Sequence, residues 1–377
     1  MSKHRILHCF GDSECFVAED LPNRVAKLGK NVEHHLVGVS AEQWNRESAG
    51  RSVVTPQFVT DFPSLTGKPM PGRLIALANA MKPFDLVLSY GWSAIDTAMA
   101  HTLFKDALGL PPLVHHETLL GEERQRLSKR RSWYRRVALG KAAGLVVPTE
   151  RLEEIALVNW QQPLGRVKRF APGVEMPKRV ATPETDALRG VIKRAGELWI
   201  GALLRNRSDM DSGLNLIEAL CQVSEEWHLV VLADGPEIDR LKAKAEECEV
   251  AHRMHVTSPP DDLTAVIGLF DLWSALGDGA AIQTATLQAL AHARPVLAIE
   301  ESETAALLHP ASQALLADSA EYKSLAQPLA KLTNDAELRA QLSEENRIHA
   351  ANTYDQAQAL DRYRRLYASA LKAEIRQ

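Results

Sequence analysis

What most constrains this chain is a rhythm: short apolar runs alternate with stretches whose apolar residues recur every three or four positions. Arg5–Phe10 reads as a strand ending at Gly11, and the spacing of Ala18, Leu21, Val25 and Leu28 reads as a helix that stops at Gly29. His34–Val39 is the next strand, with Ser40 placed as a cap for the segment after it. Asp85–Ser89, Pro112–His115 and Gly144–Val147 are further strand cores, with helical patterns between most of them. Strands joined by helical crossovers pair in parallel and are buried on both faces, so the alternation predicts a parallel sheet covered by helices.

A second series begins after residue 180. Leu198–Leu204 reads as a strand and Leu214–Val223 as a helix with Leu216, Ile217 and Leu220 inward. Trp227–Ala233 is a strand ended by Asp234-Gly235-Pro236. The helix Glu237–Glu247, the strand Met254–Val256, a helix ending near Asp271 and the strand Pro295–Ile299 come next. Residues 334–352 and 354–374 read as two amphipathic helices. Between the two series Ala171–Pro183 contains Pro172, Gly173, Pro177 and Pro183, a linker by composition. A chain of 377 residues exceeds one ordinary core. The expected division is a first domain over 1–175, a second over 180–353, and a C-terminal helix, about 354–377, returning to the first.

Hydrophobic residues make up 45% and charged residues 24%, the balance of a globular protein. No apolar run reaches membrane-spanning length. Met1–Arg5 precedes only a short apolar stretch without a small-residue cleavage site, so no secretory signal is read. Cys9, Cys15, Cys221 and Cys248 form no CxxC pair, which argues against zinc and redox motifs. The expected location is the cytoplasm. The charge is uneven: residues 1–180 hold 25 Lys and Arg against 18 Asp and Glu, and residues 181–377 hold 19 against 30. A basic half joined to an acidic half suggests a face that meets something anionic.

Several landmarks, in order, resemble the retaining nucleotide-sugar glycosyltransferases of family 4. Ile200-Gly201 followed by Arg205 is similar to that family's first strand of the second domain and its phosphate-contacting arginine. Asp234–Glu237 with Leu241 and His252–Val256, then Phe270–Ser274, then Leu287–Val296 are similar to three further family segments. Leu316–Ser319, Asp361–Tyr363 and Leu366-Tyr367 resemble its closing helices, and Val147–Leu152 and Ala171–Glu175 resemble segments of its first half. The resemblance spans nearly the whole chain. It implies the GT-B fold, two Rossmann-like doubly wound domains facing a central cleft. It also implies a nucleotide diphosphate sugar as co-substrate, and no metal. The chain departs from the family where two glutamates are expected, since Ala280 and Gln288 stand there with Asp278 nearby. Asp209, Met210 and Asp211 replace a donor-phosphate lysine, and Glu300–Glu303 replaces a glycine pair.

A diphosphate is held by helix N-termini, glycine turns and cations. Arg205, between a strand and a helix expected to start near Ser212 or Gly213, fits that role. The alternative is a surface arginine paired with Asp209 or Asp211. With Gly201, Gly235 and Gln288 it makes up the expected donor-binding set; Gln288, read at a helix start, can hydrogen-bond a ribose hydroxyl or simply cap its helix. His116 and Glu117, at a strand end, match the family's His-acid pair; with Asp278 they are the expected catalytic set, the alternative being a structural histidine. Gly11 and Asp12 are the expected acceptor-side turn, or a plain strand–helix turn. Arg124 to Lys141 holds eight basic residues and no acid, with Leu127, Trp133, Tyr134, Val137 and Leu139 interleaved. Such a helix suits an anionic membrane surface or a solvated face; nucleic acid is not expected, since no nucleic-acid motif accompanies it.

Two readings stay open. One is an enzyme that transfers a hexose with retention to a glycan or lipid-linked acceptor in cell-surface polysaccharide or glycolipid synthesis, peripheral on the inner membrane face. The other is an inactive transferase-like scaffold, partner of an active transferase, which the missing glutamates, lysine and glycines favour.

Overall fold

The computed structural model of the protein describes residues 3–11, 21–29, 31–48, 54–117, 127–180, 183–260, 262–277, 279–300 and 302–375. The chain forms two compact units, the first made of residues 1–172 and 357–377 and the second of residues 173–356. Each is built on its own sheet.

Unit 1 runs β1 (His4–Phe10), α1 (Leu21–Leu28), β2 (Val32–Val37), α2 (Ala41–Glu47), β3 (Gln57–Phe58), α3 (Pro71–Met81), β4 (Leu86–Tyr90), α4 (Ile95–Leu108), β5 (Leu113–His116), α5 (Lys129–Ala138), β6 (Gly144–Val147), α6 (Glu150–Val158) and β7 (Val167–Arg169). The strands are parallel in the order β3-β2-β1-β4-β5-β6-β7. Period-two alternation sends Leu7, Cys9, Val87 and Leu145 to one face, against Leu74, Leu77, Ala98 and other apolar residues. Ile6, Phe10, Leu88 and Val146 face the other way, toward Leu21, Val25 and Leu28 of α1. Burial pushes the Cys9 thiol up to about 12, so it is inert. The helices start where short polar side chains accept the first free N–H groups: Ser40 takes Gln43, Ser128 takes Arg131 and Thr149 takes Leu152.

Unit 2 runs β8 (Leu198–Leu203), α7 (Arg207–Leu220), β9 (Trp227–Leu232), α8 (Ile238–Glu247), β10 (Met254–Thr257), β11 (Leu272–Ala275), α9 (Ala280–Ala291), β12 (Val296–Ala298), α10 (Tyr322–Asn334) and α11 (Ala336–Thr353). Its strands are parallel in the order β10-β9-β8-β11-β12. The closing helix α12 (Gln356–Leu371) places Tyr363 and Tyr367 in the core of unit 1. Beside both chain crossings, Val174 and Asp355 form a parallel bridge.

Two expectations about elements need correction. The segment before β11 is not a helix ending near Asp271 but two short 3-10 turns, Leu263–Ala265 and Ile267–Leu269. Helix α7 starts at Arg207, well before Ser212, because Asn206 caps it. Among the described residues no helix is long and apolar enough to cross a membrane.

In both sheets the strand order reverses direction at one place, between β1 and β4 in unit 1 and between β8 and β11 in unit 2. Helices leave to opposite faces there, which opens a crevice at the carboxyl ends of the strands.

Candidate functional site

In unit 2 that crevice lies between the turn after β8 and the turn after β11. Arg205 follows β8 and is exposed. Neither acid expected as its partner takes its guanidinium. Asp209 Oδ2 accepts the main-chain N–H groups of Arg205 at 2.9 Å and Asn206 at 3.2 Å. Asn206 Oδ1 accepts Asp209 N at 3.0 Å, completing a capping box. Asp211 pairs at 3.2 Å with Arg240, which also holds Glu237 at 2.7 Å. Among the described residues the Arg205 side chain makes no ion pair or hydrogen bond, so its charge is open to a ligand.

Asp209 is only 3% exposed. A side chain on Gly277, in the turn after β11, would collide with its Oδ1, so the carboxylate fills the space between the two turns. A helix N-terminus carries partial positive charge and free N–H groups that attract anions. Here one of the chain's own carboxylates occupies that position. Asn206 with an acid three residues on is a readable cap signal, and it is the residue pair the expected donor set lacked.

The remaining donor candidates hold different kinds of position. Gly201 lies inside β8, where a Cβ would meet the Phe270 ring at 2.7 Å, so close packing by itself requires this glycine. Gly235 sits exposed after β9 with φ of 102°, a turn position that favours glycine. Gln288 is not at a helix start but in the last turns of α9, half-buried, where its carbonyl accepts His292 N. Asp278 lies outside the described residues. Of the acidic segment in place of the glycine pair, Glu301 lies outside the described residues; the Ser302 hydroxyl donates to Ile299 O at 2.6 Å and accepts Ala305 N at 3.0 Å.

In unit 1, Gly11 borders the β1–β4 switch point, and a side chain there would collide with the Ser93 main chain. Close backbone approach thus explains this glycine. Asp12 lies outside the described residues. His116 ends β5 at 1% exposure; its Nε2 lies 2.9 Å from Tyr367 Oη and its ring stacks on Tyr363. Glu117 is equally buried, with Arg135 Nε donating to Oε2 at 2.6 Å and His115 Nε2 at 3.5 Å. Burial alone would raise the Glu117 carboxyl, but Arg135 and His115 outweigh it and hold it below the usual range. This carboxylate is enclosed and neutralised, which is the setting of a structural ion pair and not of an exposed acid or base.

A buried polar chain beside α12 carries no motif in the sequence. His8 Nδ1 meets Tyr90 Oη at 2.9 Å, and His8 Nε2 meets His34 Nδ1 at 3.0 Å. Arg24 lies 3.9 Å over the Tyr363 ring. Burial first, and then the neighbouring His35, lower His34 to about 4; burial and His34 hold His8 well below its ordinary value. In the sequence this polar chain shows as histidines at alternate strand positions on the face that carries Ile6 and Phe10.

Residues 197–335 match the family model described as "Glycosyl transferases group 1". No curated protein sequence matches the chain. Among solved structures, Anabaena Alr3699/HepE in complex with UDP and glucose is similar with a TM-score of 0.73 at 14% identity, over 97% of this chain and 100% of that one. A glycosyltransferase from Rickettsia africae ESF-5 has a TM-score of 0.72 at 12% identity, over 99% and 100%. Sucrose-phosphate synthase from Thermosynechococcus elongatus has 0.68 at 13%, over 98% and 100%. These likenesses establish the fold shared with GT-B glycosyltransferases, two Rossmann-like α/β units, and the second unit carries the segment that matches the group 1 glycosyl transferases.

Proposed function

We propose that the protein transfers a glycosyl group from a nucleoside diphosphate sugar to a glycan or lipid-linked acceptor, with retention, and that unit 2 receives the donor. The observation that carries this reading is Arg205, an exposed cation with no acid spent on it, at the sheet switch point of the segment that matches the glycosyl transferases. In the reaction the bond between the anomeric carbon and the diphosphate oxygen breaks, and an acceptor hydroxyl takes over the carbon and gives up its proton. The leaving diphosphate gains negative charge, and a fixed guanidinium stabilises it without reorganising water. HepE, solved with UDP and glucose, makes UDP-sugars the first donors to test. Gln288 is proposed to bond the ribose through its amide, and His116 and Glu117 to position the end of β5.

One observation favours the second reading, a transferase-like scaffold that partners an active enzyme. Asp209 places a carboxylate at the helix start where a diphosphate would gain most. Calorimetry with UDP, GDP and ADP, followed by donor hydrolysis with the matching sugars, separates the two. The enzyme reading expects binding that Arg205→Ala weakens by about 1.5–3 kcal/mol, the range for hydrogen bonds to a charged group. Gln288→Leu is expected to cost about 1–3 kcal/mol, since a ribose hydroxyl loses its partner. Absence of binding and hydrolysis with every donor, together with a transferase that needs this chain for activity, establishes the scaffold.

A further inference from the structure

Arg124 and Arg126 of the basic run lie outside the described residues; the rest divides once it is folded. Helix α5 turns one side inward: Ser132, Arg135 and Ala138 are buried, and Tyr134 Oη donates to Asp96 at 2.5 Å. Arg135 is committed to Glu117, and Arg131 lies 5.0 Å over the Trp92 ring. Those arginines anchor the helix to unit 1 and are not free for a partner. The opposite side carries Lys129, Arg130, Trp133 and Arg136, all exposed. Their spacing of three or four puts them on one helical face with Trp133 at its centre. Among the described residues Lys129, Arg130 and Arg136 make no ion pair or side-chain hydrogen bond.

Trp133 is 62% exposed, an unusual place for the largest apolar side chain unless something covers it. More apolar surface lies beside it. Asn159 lines the same shallow hollow as Trp133, Lys129 and Arg136, and its neighbour Val158 is 64% exposed. Leu164, 71% exposed, stands in the turn that Gln162 ties to Arg136 O and Arg166 ties to Gly140 O. Of the acids on neighbouring elements, Asp106 pairs with Lys141, and Glu150 and Glu153 pair with Arg169; the exposed Glu154, one helical turn before Val158, is the acid left at the edge of this surface among the described residues. No Asp or Glu occurs between Leu127 and Thr149.

We propose that this face of unit 1, centred on Trp133, docks the protein on an anionic phospholipid surface. Cations held at the height of the headgroups gain from negative lipid charge, while an indole settles at the boundary between headgroup and acyl chain. Val158 and Leu164 add aliphatic contact that a nucleic-acid backbone would not reward but a lipid interface does. The proposal stands on the surface alone and holds whether the protein is an enzyme or a scaffold.

The test is co-sedimentation of the full chain with vesicles of phosphatidylcholine alone and of phosphatidylcholine mixed with phosphatidylglycerol. Binding is expected to the mixed vesicles at low salt and to fall sharply at high salt. Trp133→Ser is expected to weaken it several-fold, and the combined Lys129→Gln, Arg130→Gln, Arg136→Gln variant at least tenfold. The control Lys178→Gln with Arg179→Gln, in unit 2, leaves it unchanged. A melting temperature equal to that of the wild type for each variant shows that folding is intact. Equal binding to both vesicle types, no binding at low salt, an equal loss in the control, or binding to single-stranded DNA in place of vesicles would each overturn the proposal.

Discussion

The carboxylate of Asp209 accepts the main-chain N–H of Arg205 at 2.9 Å, so the residue that offers a free cation at the sheet edge has its own backbone held by a buried anion. The two charges act in opposite directions on any phosphate that enters. Arg205 draws it in, whereas Asp209 repels it and already occupies N–H groups at the start of α7. Asp209→Ser is therefore expected to strengthen UDP binding several-fold, an effect that shrinks as salt rises. The same change removes half of the capping box and is expected to lower stability by about 1 kcal/mol. Calorimetry at two salt concentrations and a urea titration measure both. Unchanged or weaker UDP binding would show that Asp209 does not compete with the ligand; UDP binding only in the variant would mean that Asp209 closes the site.

A second prediction concerns the ion pair between Arg135 and Glu117. Its partners come from α5 and the end of β5, and the guanidinium also lies 4.8 Å from both the Trp92 and the Trp160 rings. Removing one member of a fully buried pair leaves an uncompensated charge, a cost of about 3–5 kcal/mol, whereas removing both is far milder. Arg135→Met should unfold at markedly lower urea, and Arg135→Met with Glu117→Gln should recover most of the loss. A single variant that loses less than about 1 kcal/mol would mean that Glu117 is protonated or solvated in the folded protein.

The strands were legible because each is a short apolar run between turn residues, as Gly144–Val147 and Trp227–Leu232 illustrate. The start of α7 was not, because Arg207, Ser208, Asp209 and Asp211 hide the helical period until Leu214. Helix α9 is apolar nearly all round, so no amphipathic phase marks its limits, and Gln288 reads as a helix start although it lies in the last turns. Site residues suffered for a different reason. Gly201 reads in sequence as a ligand glycine, whereas the fold gives it a packing role against Phe270; Glu117 reads as an acid, whereas α5 brings Arg135 to it as an ion-pair partner. Residue type and spacing indicate what a side chain is able to do; its partner, distant in sequence, decides whether it is free to do it.

The buried histidines under α12 set the last prediction. His34, lowered to about 4 chiefly by burial, is neutral in the folded protein, whereas in the unfolded chain it titrates near the ordinary value of about 6.5. Below that value the unfolded state binds the proton and the folded state does not. The contribution to stability is therefore complete above pH 6.5 and is lost as pH falls toward 4, by roughly 2 kcal/mol at pH 5 from this one residue. His8, lowered in the same direction and joined to both His34 and Tyr90, steepens the fall. His34→Gln keeps a polar group beside His8 and cannot be charged. Its stability between pH 8 and pH 5 should decline less than that of the wild type when both are monitored by urea unfolding. Parallel curves for the two proteins would mean that His34 is protonated when folded, and that the polar chain from His34 to Tyr90 carries a charge that Arg24 and the tyrosines leave unopposed.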